Sequence, residues 1–286
     1  TAISKGFSPA SIIIDSPIIF KEKDHSFDKW KPVNFEKKFY GPTSLRKALA
    51  HSRNIVTVKL LQSIGTRSVI KMARNLGINS HIENNLSIGL GSSGVTLYEL
   101  VSAYSAFANN GLRVEPQGIR RIENRNGEIL FIEKNNKTEA ITSGLANIVT
   151  SLLQSVVQEG TAKKVRALGR PIAGKTGTTN NYIDAWFIGF TPKLLTGVWV
   201  GKDNVEPLGK NETGSRTAIP IWLDYMKRAL ANTPIYNFSV SPETVLVKIN
   251  PESGNLTDSE DPKAFFEIFL KNNIPNKQND QLKAMA

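Results

Sequence analysis

Apolar positions along the chain repeat with two periods. A three-and-four spacing marks helices. Leu45, Ala48 and Leu49 follow Gly41-Pro42-Thr43, so a helix starts with Thr43 or Ser44 as cap and delivers Ser52-Arg53-Asn54 at or near its end. Thr66, Val69, Ile70, Ala73 and Leu76 give a second, ended by Gly77 in a left-handed conformation. A third starts at Thr96, where Thr96-x-x-Glu99 allows reciprocal capping; Leu97, Leu100, Val101, Tyr104 and Phe107 form its buried stripe up to Gly111. Leu145, Ile148, Val149, Leu152, Leu153, Val156 and Val157 give a long fourth, stopped by Gly160. Residues 219–230 give another, with Pro220 in the first turn, where a missing N–H costs nothing.

Strand-like runs occupy the rest. Residues 119–122 and 129–132 flank Asn124-Arg125-Asn126-Gly127 as a small hairpin. Residues 173–178, 185–190 and 194–201 are β-like, and the tight Thr191-Pro192-Lys193 connection makes the last two antiparallel neighbours. Between Lys21 and Tyr40 the sequence is charged and aromatic without periodicity, which predicts a long surface connection. After Asn237, Val245-Leu246-Val247 alternates with turn signals and leads to a polar tail expected to fray near Ala286. Helices first, then antiparallel strands and a returning helix, agree with an α+β fold, an antiparallel sheet flanked by helices.

Composition narrows the function classes. A chain of 286 residues buries a core without staples, and with no Cys there is no thiolate nucleophile or Cys-based zinc site. His25, His51 and His81 are not spaced as metal ligands, so no metal and no cofactor is expected. No apolar run reaches the roughly 18 residues that span a bilayer. The net charge of +11 favours an anionic partner. Lys and Arg are scattered singly or in pairs, however, without a dense basic tract or interleaved aromatics, which argues against nucleic acid.

The chemistry concentrates in two short segments. Gly174-Lys175-Thr176-Gly177-Thr178 sets an ammonium, a hydroxyl, a bare backbone and a second hydroxyl on consecutive positions of an expected edge strand, a pattern suited to an anion. Alternation sends Thr176 and Thr178 to one face and Lys175 to the other or into the cleft floor. Read alone, Lys-Thr-Gly is equally a strand end turning on glycine. Ser52-x-Asn54 pairs a proton-relaying hydroxyl with an amide that donates and accepts. The spacing is cheap, since Ser253-Gly254-Asn255 repeats it in turn sequence, whereas Ser52 sits between an amphipathic and an apolar helix. His51 beside Ser52 points about 100° away on a helix and reads as a surface histidine. Asp184, ahead of Ala185-Trp186-Phe187, reads as a turn end or the partner of a cation rather than as a base.

Ser-x-Asn followed by Lys-Thr-Gly resembles the penicillin-binding proteins and serine β-lactamases, whose first motif is a Ser-x-x-Lys nucleophile. Lys175-Thr-Gly-Thr-Thr-Asn, Asp184-Ala-Trp-Phe-Ile-Gly-Phe-Thr-Pro192, Gly197-Val-Trp-Val-Gly201, Leu90-Gly91-Ser92-Ser93 and Ala103-Tyr-Ser-Ala-Phe-Ala-Asn109 are similar to the transpeptidase domain of class A penicillin-binding proteins in particular. The resemblance runs from Thr1 to about Met226, giving an expected transpeptidase domain at 1–236 and a partly disordered C-terminal extension at 237–286.

That resemblance implies a serine acyl-enzyme formed on D-Ala–D-Ala of a peptidoglycan stem peptide and resolved by a second stem's amine, with β-lactams as competing acylators. It implies that Ser52 passes a proton to the departing amine, Asn54 holds the substrate amide and the base lysine, and Lys175 sets the local field. Thr176 and Thr178 hydroxyls receive the terminal carboxylate beside Gly177, and the Thr178 N–H is an oxyanion donor. The implied partners are stem peptides, glycan strands, an upstream glycosyltransferase domain and a membrane anchor, the domain facing the periplasm or cell exterior. The family's Ser-x-x-Lys lies before the segment that Thr1-Ala-Ile-Ser-Lys-Gly-Phe resembles, so the chain is expected to lack its nucleophile and to be inactive alone. Ser26/Lys29, Ser44/Lys47 and Ser68/Lys71 fit the spacing but not the order or setting; Ser44 is better explained as a cap. A naturally truncated binding or scaffold product, and a serine carboxypeptidase or β-lactamase, are the alternative readings.

Overall fold

The computed structural model describes residues 1–21, 29–134, 136–257 and 262–275. Strands β1 (Ile12–Asp15), β2 (Phe20–Lys21), β3 (Lys29–Trp30) and β4 (Gly41–Ser44) precede the first helix; β1 pairs antiparallel with β4 and β2 with β3. Helix α1 (Leu45–Ala50) starts where the sequence places it, with the Ser44 Oγ accepting from the Lys47 N–H. The apolar run after Ser52 is α2 (Asn54–Ile64), and α3 (Thr66–Asn75) ends just before Gly77 at φ +87°.

Helix α4 (Leu97–Ala108) opens on the expected capping box of Thr96 and Glu99. Strands β5 (Leu112–Val114), β6 (Arg121–Glu123), β7 (Ile129–Ile132) and β8 (Lys137–Glu139) form two small ladders, β5 with β8 and β6 with β7. The long helix is α5 (Ser143–Gln158).

Next come β9 (Ala173–Thr178), β10 (Ala185–Phe190) and β11 (Leu195–Val200), a three-stranded antiparallel sheet in the order β11-β10-β9. Helix α6 (Ile219–Ala229) carries Pro220 in its first turn. Strands β12 (Thr244–Ile249) and β13 (Phe265–Leu270) close the described chain as an antiparallel pair. This is the expected α+β architecture. The β12–β13 pair packs into the body: Ile268 meets Ile148 and Leu152 of α5, and Phe269 is buried with Ala10. The polar stretch from 276 to Ala286 lies outside the described residues.

One sheet face is the main core. Phe187 of β10 meets Trp222 of α6 edge-to-face, ring centroids 5.1 Å apart, and Val156, Val157, Ile172, Ile219 and Met226 complete the cluster. Helix α5 bridges this core to α1. A Cβ on Gly160 would lie 2.0 Å from the Ala50 carbonyl oxygen, so only glycine allows α1 to end against α5. The same carbonyl accepts the Thr161 N–H at 3.1 Å. Arg46 of α1 adds a buried tie. Its guanidinium bonds the Glu267 carboxylate of β13, the Ser151 carbonyl and hydroxyl and the Ser155 hydroxyl, so every donor of this largely buried cation is matched. The end of α1 is thus fixed against α5, next to β9.

Candidate active site

Ser52 occupies the joint between α1 and α2 at φ +55°, a left-handed backbone that costs a non-glycine residue about 1–2 kcal/mol. Its N–H reaches the Leu49 carbonyl and the following Arg53 N–H reaches that of Ala48, so the turn is wound onto the end of α1. From there the Ser52 Oγ accepts a 2.9 Å hydrogen bond from the Lys175 Nζ of β9, 123 residues away in sequence. The Lys175 ammonium also donates to the Thr176 carbonyl at 2.9 Å. Burial of the ammonium lowers its pKa to about 8, so it still carries its charge at neutral pH.

The register of β9 against β10 fixes which way each side chain faces. Lys175 lies opposite Ile188 and Gly177 opposite Trp186, sharing their face; Thr176 and Thr178, opposite Phe187 and Ala185, share the other. The Thr176 hydroxyl pairs with that of Thr161 at 2.7 Å, joining β9 to the end of α5. The Thr178 oxygen accepts the Gly214 N–H at 3.1 Å, leaving its own proton free for a ligand. Gly214 must be glycine: a Cβ there would lie 2.3 Å from the Trp186 carbonyl oxygen and 2.5 Å from that of Gly177.

Lys175, Thr176, Gly177 and Thr178 line a cleft of about 750 Å³ together with Asp184, Trp186, Ile188 and Trp199 on the sheet side. Its opposite wall is Leu97, Leu100 and Tyr104 of α4 with Val69, Ile78, Ile88 and Leu90. This corrects the expected packing of α4. The residues that helix buries fully are Ser102, Ala103 and Ala106; of its apolar stripe, Leu97 and Leu100 are half-buried along the cleft, Phe107 packs on the core with Leu153 and Phe190 as expected, and Tyr104 does both. The hydroxyl end of Tyr104 is enclosed, and burial pushes its pKa up to about 12. An apolar wall facing a strand that carries a buried ammonium, with the Thr178 hydroxyl at its end, suits a ligand with an anionic end and an apolar body.

The other sequence candidates fall elsewhere. The Asn54 amide donates to the Val33 carbonyl at 2.8 Å and does not line the cleft, although Asn54 adjoins Ser52 through Arg53. Asp184 pairs with no cation among the described residues; its Oδ1 accepts the Trp199 indole N–H at 2.8 Å. His51 is the half-buried C-cap of α1, its pKa lowered by desolvation and then by the neighbouring Arg53. Ser44 spends its hydroxyl on capping, and Ser68/Lys71 on α3 is absent from the cleft lining. Ser26 and the Lys29 side chain lie outside the described residues. Among the described residues there is no cluster of metal-ligating side chains. Sequence reasoning missed Thr161, Gly214 and Trp199; the Gly197-Val-Trp-Val-Gly201 match contained the last without a role for it.

The family model described as "Penicillin binding protein transpeptidase domain" matches residues 1–227, and the chain belongs to that family. It is 38% identical over 285 residues to penicillin-binding protein 1A of Aquifex aeolicus, matching all of this chain and 39% of that protein. It is 34% identical to penicillin-binding protein 1A of Pseudomonas aeruginosa, with 98% of this chain and 40% of the relative covered. In structure it superposes on penicillin-binding protein 1A from Haemophilus influenzae with a TM-score of 0.88 at 28% identity, covering 96% of this chain and 46% of that one. PonA1 from Mycobacterium tuberculosis in complex with penicillin V gives 0.71 at 26% identity, covering 83% and 68%. The chain therefore spans about two fifths of the curated relatives it matches.

Proposed function

We propose that this chain supplies the Ser-x-Asn and Lys-Thr-Gly side of a serine D,D-transpeptidase site that cross-links peptidoglycan stem peptides and is acylated by β-lactams. The 2.9 Å hydrogen bond between Lys175 Nζ and Ser52 Oγ carries the reading, because it joins the two motifs into one polar centre beside the apolar cleft that Lys175 lines. In the proposed reaction a serine from outside these 286 residues attacks the D-Ala–D-Ala carbonyl and a paired lysine takes its proton. Ser52 passes a proton to the departing D-Ala amine; with Lys175 charged beside it, its hydroxyl is polarised for that transfer. Thr176 and Thr178 take the terminal carboxylate within the field of Lys175, Gly177 lets the substrate backbone approach, and the Thr178 N–H is one oxyanion donor. Asn54 takes the substrate-amide role by resemblance alone, its own amide being tied to the Val33 carbonyl.

The apolar wall of Leu97, Leu100 and Tyr104, with Ile188 across the cleft from it, supports the same division of labour, since it offers a bed for the segment carrying the nucleophile. In the whole protein we place a glycosyltransferase domain and a membrane anchor, with this domain on the outer side of the cytoplasmic membrane. Among the described residues no helix is long and apolar enough to cross a membrane. The division into a transpeptidase domain at 1–236 and an extension at 237–286 belongs to this reading and is supported by the family match ending at residue 227. Neither described Ser/Lys pair reaches the cleft, which favours a chain that does not acylate alone. Intact mass after incubation with a penicillin tests this. The full-length protein gains the drug's mass and this chain does not; a gain on the short chain assigns the nucleophile to one of its own serines, and no gain on either overturns the transpeptidase reading.

A further inference from the structure

Residues 31–40 are predicted as plain surface connection, yet the structure uses them as a strap over the Ser52 turn. Asn34 is 2% exposed and acts as the hub. Its amide nitrogen donates to both carboxylate oxygens of the buried Asp15 and to the Lys38 carbonyl, while its oxygen accepts the Ile55 N–H in the first turn of α2. Val33 takes the Asn54 amide through its carbonyl. Beyond these anchors, three side chains close on one another. The Arg53 guanidinium lies 3.4 Å over the Tyr40 ring and pairs with the Glu36 carboxylate, to which the Tyr40 hydroxyl donates at 3.1 Å.

Arg53 is the middle residue of Ser52-x-Asn54 and has no part in the chemistry proposed above. It is nevertheless 9% exposed, whereas an arginine at a bare helix junction would extend into solvent. The residue before it holds the left-handed backbone that aims Oγ at Lys175. On the α1 side that turn is fixed by the Ser52 and Arg53 N–H groups on the Leu49 and Ala48 carbonyls and by the Ala50 carbonyl against Thr161; on the other side the Arg53 side chain is held by the strap.

We propose that Glu36, Tyr40 and Arg53 are positioning residues for Ser52: the strap clamps the Arg53 guanidinium, and the clamp holds Ser52 in its left-handed turn within hydrogen-bonding distance of Lys175. The strap is then part of the catalytic apparatus, although none of its atoms touches substrate. This rests on the role given to Ser52 under the proposed function.

The test uses the full-length protein carrying this domain, with rapid-mixing measurement of penicillin acylation resolved into the pre-covalent dissociation constant and the first-order acylation constant. Glu36→Gln keeps shape and leaves a half-exposed site, and Tyr40→Leu removes the ring face; both are expected to fold. The acylation constant falls about tenfold in each, the pre-covalent constant stays within about twofold, and Glu36→Asp recovers part of the rate. A strap that only stabilises the fold lowers the melting temperature and leaves the acylation constant where it was, and that result overturns the proposal while the transpeptidase reading stands. If the unchanged protein takes up no penicillin, that reading fails instead. The strap is then decided by crystal structures of the two variants, in which Ser52 keeping its backbone and its bond to Lys175 overturns the proposal and loss of both supports it.

Discussion

The central sheet has two faces that the same three strands treat in opposite ways. Phe187 on one face is fully enclosed against Trp222, whereas Trp186, its neighbour on the other face, is half-buried beside Trp199, which is 42% exposed. The aromatic content is alike; the difference is that one face is covered by α6, while the other is closed only at its Phe190 end, on Leu153, Tyr104 and Phe107, and meets the cleft at Trp186 and Trp199. A closed face fixes the strands in register, and an open face can then spend its surface on a ligand. The Lys175 side chain and the bare backbone of Gly177 lie on the open face, and their positions are only as exact as the closed face makes them.

The largest effect expected breaks the closed face. Trp222→Ala removes a fully buried ring and its hydrogen bonds to the Gly189 and Thr196 carbonyls, and costs about 3–5 kcal/mol of stability. Denaturant unfolding of this chain reads it directly. A cost below about 2 kcal/mol would mean that α6 is not what holds the sheet, and the contrast between the faces would collapse.

The next effect belongs to the open face and shows in function. Lys175→Met removes the ammonium from Ser52 while keeping the buried stem, so penicillin acylation of the full-length protein falls by about 100- to 1,000-fold. Stability is unchanged or slightly raised, because a partly matched buried cation has been replaced by an apolar chain. An equal loss of stability and rate would make Lys175 a structural residue.

How much of this contrast could be read beforehand depends on what each feature leaves in the sequence. The α4 capping box was legible because Thr96 and Glu99 are local, and β10 and β11 were legible as neighbours because their connection is short. The destination of the α4 stripe was not. Apolar period shows that one face avoids water, but it does not distinguish a core from an apolar cleft, and Leu97, Leu100 and Tyr104 went to the cleft. The Ser52–Lys175 pair spans 123 residues and came from resemblance alone. The strap left no trace, since Asn34, Glu36 and Tyr40 act through side-chain bonds that carry no period.

A smaller change sharpens the view of the strand edge. Thr178→Val keeps the shape but loses the oxygen that takes the Gly214 N–H and the proton left for a ligand. Penicillin encounter weakens by about 1–1.5 kcal/mol, roughly tenfold in the pre-covalent dissociation constant, with little change in the acylation constant. Titration should expose Lys175 in the same region. Folded, it gives up its proton near pH 8; unfolded, it does so near the ordinary lysine value of 10.5. Between those values the unfolded chain binds more protons, so the Lys175 contribution to stability rises with pH there, while below pH 8 its burial penalty is present in full. The melting temperature of the unchanged chain therefore gains on that of Lys175→Met as pH rises from 8 to 10.5. A constant difference across that window would show that the ammonium is not buried.

The smallest effect is expected at Trp199, where the two faces can be compared residue for residue. Its ring meets Trp186 with centroids 6.0 Å apart, and its indole N–H donates to Asp184 at a site open to solvent. An exposed hydrogen bond and a half-open ring contact are each worth about 0.5–1 kcal/mol, so Trp199→Phe, which keeps the ring contact, should lower the stability of this chain by under about 1 kcal/mol. The same substitution in the full-length protein discriminates further. Should the nucleophile-bearing segment fill the cleft between the apolar wall and the sheet, Trp199 is covered there and its replacement costs more than in the short chain, by an amount denaturant unfolding of the two proteins measures. Equal costs in both would leave the cleft open in the whole protein and move the nucleophile segment elsewhere.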